Sequence, residues 1–156
     1  MKDSKKKKLK LKVSAISEGT VIDHITSENL FKVISILELD KTPNMITFGA
    51  NLDSDKLKSK AIIKVSNQFF KDDDINKIAL ISPHAKLNII RDYEVVEKRS
   101  VEIPEQVIGI VKCFNPKCIT NNEAVVTSFK VINKEPLALK CRYCEKITHG
   151  HQMVIK

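Results

Sequence analysis

Two spacings of apolar side chains organise the N-terminal two thirds of the chain. Strand character, seen as period-two alternation or as short β-branched runs, is found in residues 9–16, 45–52, 61–67 and 85–98. Helical character is found in residues 27–39, where Ser27 fits an N-cap, and in residues 72–83, where the first turn is acidic and Pro83 marks the end. This order predicts an α+β fold, a ferredoxin-like βαββαβ domain whose antiparallel sheet carries two helices on one face.

The pattern changes near residue 103. The segment 98–106, stiffened by Pro104, fits a connection between domains, and residues 104–156 contain only short strand-like runs. About fifty residues of mostly strand bury little core, so an internal cross-link is expected. The sequence therefore predicts a tail (residues 1–8), an α+β domain (9–103) and a small all-β domain (104–156).

The net charge of +8 is concentrated at the start of the chain, because residues 1–12 contain seven Lys and one Asp whereas residues 13–103 are slightly acidic. A disordered basic tail, or a weak tether to anionic partners, explains this better than a basic face on a domain. No apolar run is long enough to span a membrane, and none follows the lysines as in a secretory signal. We expect a cytoplasmic protein without membrane or nucleic-acid partners.

The four cysteines form two short pairs, "CFNPKC" (Cys113 and Cys118) and "CRYCEK" (Cys141 and Cys144), with the spacing C-x4-C, x22, C-x2-C. In a reducing compartment such pairs indicate metal ligands rather than disulfides. Four thiolates fill the coordination sphere of Zn²⁺, so the metal would be structural, one per chain, in a zinc-ribbon or rubredoxin-like domain. Iron in a rubredoxin-like site, or a redox pair at Cys141 and Cys144, are alternatives.

No catalytic motif is evident, since the sequence lacks a P-loop, G-x-S-x-G, H-E-x-x-H and G-x-G-x-x-G. An enzyme would thus have no residues to perform the reaction. A stand-alone zinc-ribbon protein that binds nucleic acid is a second alternative. The βαββαβ pattern is shared with RNA-recognition domains, but those need stacking aromatics on the central strands, where only Phe48 is found.

Several polar side chains interrupt or follow the predicted strands. They are Asp23, His24, Lys60, Lys64, Asn88, Tyr93 and Lys98. A carboxylate that accepts hydrogen bonds from ribose, with Lys and His near phosphates, is what a nucleotide site requires. Each residue alone equally fits a solvated surface group.

Longer motifs indicate a family. "GTVIDHI", "ITFGANL", "IIKVSNQF", "IALISPHAKLNIIRDYEVVEK" and "LKCRYCEK" occur in this order, and with the cysteine spacing they resemble the regulatory chain of aspartate carbamoyltransferase over residues 9–156. The resemblance implies a non-catalytic subunit for pyrimidine biosynthesis. Its N-terminal domain would bind CTP, UTP and ATP at one site and form a homodimer, and its zinc domain would dock on the catalytic chain. Three regulatory dimers would bridge two catalytic trimers.

The resemblance also assigns residues. It implies main-chain contacts to the base from Val13 and Ile16, ribose contacts from Asp23 and Lys64 with Lys60 nearby, and phosphate contacts from His24 and Lys98. The rest of the nucleotide pocket would be lined by Ser14, Val21, Asn88, Ile90, Tyr93 and Val95. Residues beside the cysteine pairs would reach the catalytic chain, namely Asn115, Lys117 and Glu145.

The chain departs from the family pattern at two of these positions. Ser14 replaces an acidic residue near the base, which bears on effector preference, and Lys117 replaces an asparagine beside the first cysteine pair.

Overall fold

The computed structural model describes residues 15–55 and 58–156, and the chain divides into two compact units between Glu102 and Ile103. The predicted tail and the site residues Val13 and Ser14 lie outside the described residues. In the part of the chain that is described, no helix is long and apolar enough to cross a membrane.

The N-terminal unit is a five-stranded antiparallel sheet with two α-helices, in the strand order β2-β3-β1-β4-β5. Its elements are β1 (Gly19–Thr26), a 3₁₀ turn (Ser27–Asn29), α1 (Leu30–Ile36), β2 (Ile46–Leu52), β3 (Lys60–Ser66), α2 (Asp72–Ile81), β4 (Lys86–Arg91) and β5 (Glu94–Ser100). The first four strands have the order of a ferredoxin-like sheet, and the predicted α+β class is confirmed.

The first described strand is one that the sequence pattern did not predict. Residues 9–14 lie outside the described residues, Ala15 and Ile16 belong to no strand, and the first described strand runs from Gly19 to Thr26, a range for which no strand was predicted. Gly19 has φ +134°, and a Cβ there would lie 2.0 Å from the carbonyl oxygen of Val65. Only glycine fits this approach of the two strands. β1 is central in the sheet and buried on both faces, so its sequence does not alternate.

The predicted strand 85–98 is instead a hairpin of β4 and β5. Its two turn residues, Asp92 and Tyr93, have φ values of +49° and +64°. Positive φ at both positions gives the twist that a two-residue hairpin needs. Asp-Tyr is not the usual Asn-Gly signal of such a turn, which is why the sequence pattern did not indicate it.

The two faces of this sheet differ in chemistry. Ile22 pairs with Ile63 on β3 and with Leu87 on β4, and all three side chains are fully buried. Alternation therefore places their neighbours on the opposite face, called the open face below because it carries the partly exposed Asn88 and the exposed Lys98. That second face carries most of the predicted site residues.

The C-terminal unit contains short strands and one four-residue helix. Its elements are β6 (Gln106–Ile108), β7 (Val111–Lys112), α3 (Ile119–Asn122), β8 (Ser128–Lys134), β9 (Leu137–Cys141), β10 (Ile147–His149), a 3₁₀ turn (Gly150–Gln152) and β11 (Val154–Ile155). β10, β9, β8 and β6 form one sheet, and β11 pairs with β7. The largest fully buried side chain is Phe129. Cys113 directly follows β7, Cys118 directly precedes α3, Cys141 is the last residue of β9, and Cys144 lies in the connection from β9 to β10.

Candidate binding face and metal centre

Four predicted site residues form a single row across the open face of the N-terminal sheet. Val21 on β1 pairs with Lys64 on β3 and with Asn88 on β4, and Asn88 pairs with Lys98 on β5. Directly paired residues of antiparallel strands share a face and have Cβ atoms about 5 Å apart. Residues far apart in the sequence are thus brought together by strand register.

Asp23 is the carboxylate of this face. Lys60 Nζ lies 3.0 and 3.3 Å from its two oxygens, and both side chains are about four-fifths buried, at 22 % and 19 % exposure. A bulge interrupts β1 between Ile22 and Ile25, and His24 within it has φ +60°. The backbone N–H of His24 donates to Asp23 Oδ1 at 2.7 Å, and the imidazole Nδ1 of His24 lies 3.6 Å from Asp23 Oδ2. The bulge therefore places a carboxylate, an imidazole and a lysine together.

Lys64 is the most buried of the cations, with 8 % of its surface exposed. Burial lowers the pKa of its ammonium group, and the charge of Asp23 partly restores it. An additional negative charge on this face would favour the protonated form of Lys64 further. The arrangement is electrostatically suited to an anionic ligand.

An apolar cluster lies beside these charges. Ile16, Val21 and Ile90 are each more than nine-tenths buried, and Ile62 packs against them. Tyr93 and Val95 lie at the hairpin next to this cluster, and their side chains are 72 % and 46 % exposed. The face thus offers an apolar surface at one end and charged groups at the other, which matches the two parts of a nucleotide.

Sequence reasoning missed Lys86. This residue on β4 pairs directly with Asp23 and shares its face with Asn88 and Ile90. The period-two spacing of residues 86, 88 and 90 could have indicated it, but a lone lysine at the start of a strand is usually a solvated charge. With Lys86, four lysines of the described residues lie on this face with the Asp23 carboxylate, namely Lys60, Lys64, Lys86 and Lys98.

The four cysteines of the C-terminal unit come together as predicted. Their Sγ atoms all lie within 4.8 Å of one another, with 3.6 Å between Cys113 and Cys144 and 3.8 Å between Cys118 and Cys141. A disulfide would require about 2.05 Å. Tetrahedral Zn–S bonds of about 2.3 Å place sulfur atoms about 3.8 Å apart. The cluster has the size of a four-thiolate metal site.

Hydrogen bonds hold the C-x4-C loop in shape. Asn121 Nδ2 donates to the carbonyl oxygens of Cys113 and Asn115 at 2.9 and 2.7 Å, and Asn122 Nδ2 donates to that of Cys118 at 2.8 Å. The Thr120 hydroxyl lies 3.2 Å from Cys118 Sγ. The ligand loop is therefore preorganised by the residues of α3.

The thiols differ in acidity. Burial raises the pKa of Cys113 and Cys141. Burial acts in the same direction on Cys144, but hydrogen bonds from the Lys146 backbone and the Asn115 side chain outweigh it and lower its pKa to about 7. Buried thiols of this kind bind a metal as thiolates only when the cation replaces their protons.

The residues predicted to face a partner lie around this cluster. Lys117 and Glu145 are exposed, and Asn115 Oδ1 accepts a hydrogen bond from the Lys117 backbone at 3.1 Å. Two aromatic side chains of the same loops, Phe114 and Tyr143, are about half exposed at 54 % and 48 %. Charged, polar and aromatic groups are thus presented together by the two cysteine loops.

Within residues 15–55 and 58–156, the cysteines are the one group of three or more His, Cys, Asp or Glu residues that could hold a metal ion. The rings of His149 and His151 stack with their centroids 5.9 Å apart, and neither histidine belongs to the cysteine group.

Comparison with known proteins gives matches over nearly the whole chain. The family model described as "aspartate carbamoyltransferase regulatory chain, allosteric domain" matches residues 11–102, and the one described as its metal binding domain matches residues 105–154. The chain is 52 % identical to the aspartate carbamoyltransferase regulatory chain of Parabacteroides distasonis over 153 residues, covering 98 % of this chain and 99 % of that one.

Two further relatives carry the same name. The identity is 57 % over 136 residues with the protein of Bacteroides fragilis, covering 87 % of this chain and 89 % of that one. It is 55 % over 146 residues with the protein of Thermococcus sibiricus, covering 94 % and 96 %.

Proposed function

The chain belongs to the aspartate carbamoyltransferase regulatory chains and is not itself catalytic, and from this premise we propose that it couples nucleotide binding to control of a catalytic partner. Its allosteric domain binds nucleoside triphosphates on the open face of the sheet. Its metal-binding domain holds Zn²⁺ and docks on the catalytic chain of aspartate carbamoyltransferase.

The observation that carries the nucleotide proposal is the row Lys64, Val21, Asn88 and Lys98, in register across four strands. The base packs against the apolar cluster of Ile16, Val21 and Ile90 and beside Tyr93. The ribose hydroxyls donate to Asp23, and the phosphates contact His24 and Lys98, with Lys86 adding positive charge. Apolar surface, carboxylate and cations thus follow one another as do base, sugar and phosphates.

CTP and UTP act as inhibitors and ATP as an activator at this one site, as the family resemblance implies. Their opposite effects require that each favours a different state of the assembly, tense or relaxed. The free energy that couples effector and substrate sites is then about 1–3 kcal/mol, and it is reciprocal by linkage. The assembly contains two catalytic trimers bridged by three regulatory dimers.

Zn²⁺ is the metal that best fits the C-terminal cluster. Cys113, Cys118, Cys141 and Cys144 hold one ion per chain, and four thiolates leave no position open for water or substrate. The ion supplies a structural cross-link between the two loops. The chain's own residues, Asn115, Lys117 and Glu145 with Phe114 and Tyr143, then contact the catalytic chain.

A shared site predicts parallel losses when a phosphate contact is removed. Lys98→Ala should weaken CTP and ATP binding alike by about tenfold, because a charge-assisted hydrogen bond to a phosphate common to both is lost. Isothermal titration of the full chain measures both affinities. Lys32→Ala, which removes the same charge from the exposed side of α1, should leave them unchanged. Loss of only one nucleotide would contradict the shared site.

The regulatory dimer forms through the free edge of the N-terminal sheet at β2. Phe31 on α1 and Phe48 on β2 are 67 % and 45 % exposed and pack edge to face at 5.9 Å, and Met45, directly before β2, is 66 % exposed. A second copy of the chain that covers this apolar patch also protects the outer backbone groups of β2, which is an edge strand among the described residues.

The β2 edge can be distinguished from the β5 edge by mutation. Phe31→Ser should weaken the dimer by at least about tenfold, since a large interface aromatic is truncated. Sedimentation equilibrium measures the dissociation constant. Val96→Ser truncates an exposed apolar residue of the opposite edge strand and should have little effect. Dissociation by Val96→Ser alone would assign the interface to β5 instead.

A further inference from the structure

The hairpin turn that carries Tyr93 is joined to the segment before β1 by three hydrogen bonds. The carboxylate of Glu18 accepts two of them, from the backbone N–H of Asp92 at 3.2 Å and from Arg91 Nη1 at 3.4 Å. The third runs from the backbone N–H of Tyr93 to the carbonyl oxygen of Ser17, at 3.0 Å. Both oxygens of one side chain are therefore used to hold the turn.

Contacts with a third segment hold this pair in place. The guanidinium of Arg91 lies 4.5 Å above the ring of Phe69, a cation–π contact. The backbone N–H of Asn67 donates to the carbonyl oxygen of Glu18 at 3.0 Å. Glu18 and Arg91 thus connect the entry to β1, the β4–β5 turn and the segment after β3.

The turn needs such support. Asp92 and Tyr93 both have positive φ, which is uncommon for residues other than glycine and costs free energy. Tyr93 has most of its side chain exposed, so packing of that ring does not fix the turn. Ile16, two residues before Glu18, is buried with Ile90, which lies at the end of β4 just before Arg91. The Glu18–Arg91 pair therefore sets the position of Tyr93 relative to Ile16.

We propose that Glu18 and Arg91 are positioning residues for the base subsite of the nucleotide face. They hold Tyr93 and Ile16 on the two sides of the place where the base binds, and they do not contact the ligand. The inference rests on the proposed function, since it assigns the apolar end of the same face to the base. It adds that recognition of the base, and not of the phosphates, depends on this pair.

The test separates base recognition from phosphate recognition. Affinities of CTP, ATP and inorganic tripolyphosphate are measured by calorimetry on the full chain loaded with Zn²⁺. Glu18→Ala should weaken CTP and ATP by about tenfold and tripolyphosphate by less than about twofold. Glu18→Gln keeps one acceptor oxygen and should weaken both nucleotides by only about threefold. Glu38→Ala breaks another exposed ion pair, with Lys41 at 3.2 Å, and should change none of the three affinities.

A second measurement tests the effect of the Glu18–Arg91 pair on the turn without any ligand. In Glu18→Ala, the backbone amides of Asp92 and Tyr93 should exchange with solvent about tenfold faster. The Asp92 amide loses its acceptor, and the Tyr93 amide lies in a turn that the carboxylate no longer holds. Circular dichroism should show an intact fold, since an exposed ion pair contributes little to stability.

Equal losses for nucleotides and tripolyphosphate, no loss at all, or unchanged amide exchange would each overturn the positioning role while leaving the nucleotide site in place. Failure of the unaltered chain to bind CTP or ATP would overturn the proposed function and this inference together.

Discussion

Replacement of Cys141 with serine is expected to unfold the C-terminal unit and abolish assembly with the catalytic chain. Cys141 is fully buried, and its Sγ is one of four that form the metal cluster. A serine hydroxyl is a poor Zn²⁺ ligand, and apparent binding free energies of about 10–16 kcal/mol for structural zinc are also folding free energies. A unit of this size has too little core to remain folded without the ion.

Size-exclusion chromatography with purified catalytic trimers measures the assembly, and zinc content is measured on the same sample. Nucleotide binding by the N-terminal unit should persist, because each of the two compact units is built around its own sheet. Ala138→Ser places the same hydroxyl at a buried position of the same strand and should leave assembly intact. A complete assembly formed by the zinc-free Cys141→Ser chain would show that the metal-binding domain is not the docking element.

The second large effect is expected from Asp23→Ala. The carboxylate is proposed to accept hydrogen bonds from the ribose, so its removal should weaken CTP binding relative to tripolyphosphate by about thirtyfold, or about 2 kcal/mol. The Asp23→Ala variant should bind tripolyphosphate at least as tightly as the unaltered chain does. The variant lacks the carboxylate that faces Lys60 and Lys86, so its binding face is more positive.

A ligand lacking the ribose hydroxyls provides the control for this assignment. The unaltered chain should prefer CTP over its 2′,3′-dideoxy analogue, and Asp23→Ala should bind the two nearly equally. Asp40→Ala removes a carboxylate from an exposed loop and should retain the preference. If the preference survives in Asp23→Ala, the ribose is recognised by another group, and the orientation of the nucleotide on the sheet has to be revised.

Sequence patterns predicted elements whose signals are local. The acidic first turn at Asp72, Asp73 and Asp74 and the following Pro83 placed a helix over 72–83, and α2 runs from Asp72 to Ile81. The cysteine spacing predicted the cluster because each pair is close in sequence. Only one long-range contact, between the two pairs, is then needed to bring all four thiols together. Ser27 was predicted as an N-cap but instead begins a 3₁₀ turn, and its hydroxyl accepts from the Asn51 backbone.

Elements that depend on partners distant in sequence were not predictable. β1 is buried on both faces and has a bulge at Asp23 and His24, so it lacks the alternation that identifies a half-buried strand. The open face could be anticipated only through polar residues in apolar surroundings, such as Lys64. Lys86 and the Glu18–Arg91 pair gave no such signal, because their positions follow from strand register and turn geometry.

This chain is proposed to transmit nucleotide binding to a catalytic partner. The most direct test is the aspartate saturation curve of the complex reconstituted from this chain and catalytic trimers, measured with CTP, UTP or ATP. CTP should shift the curve to higher aspartate concentration and ATP to lower, by no more than the roughly 5- to 150-fold that a coupling free energy of about 1–3 kcal/mol allows. UTP should act in the direction of CTP. Curves that coincide in the presence and absence of every nucleotide, with the complex intact, would contradict the claim.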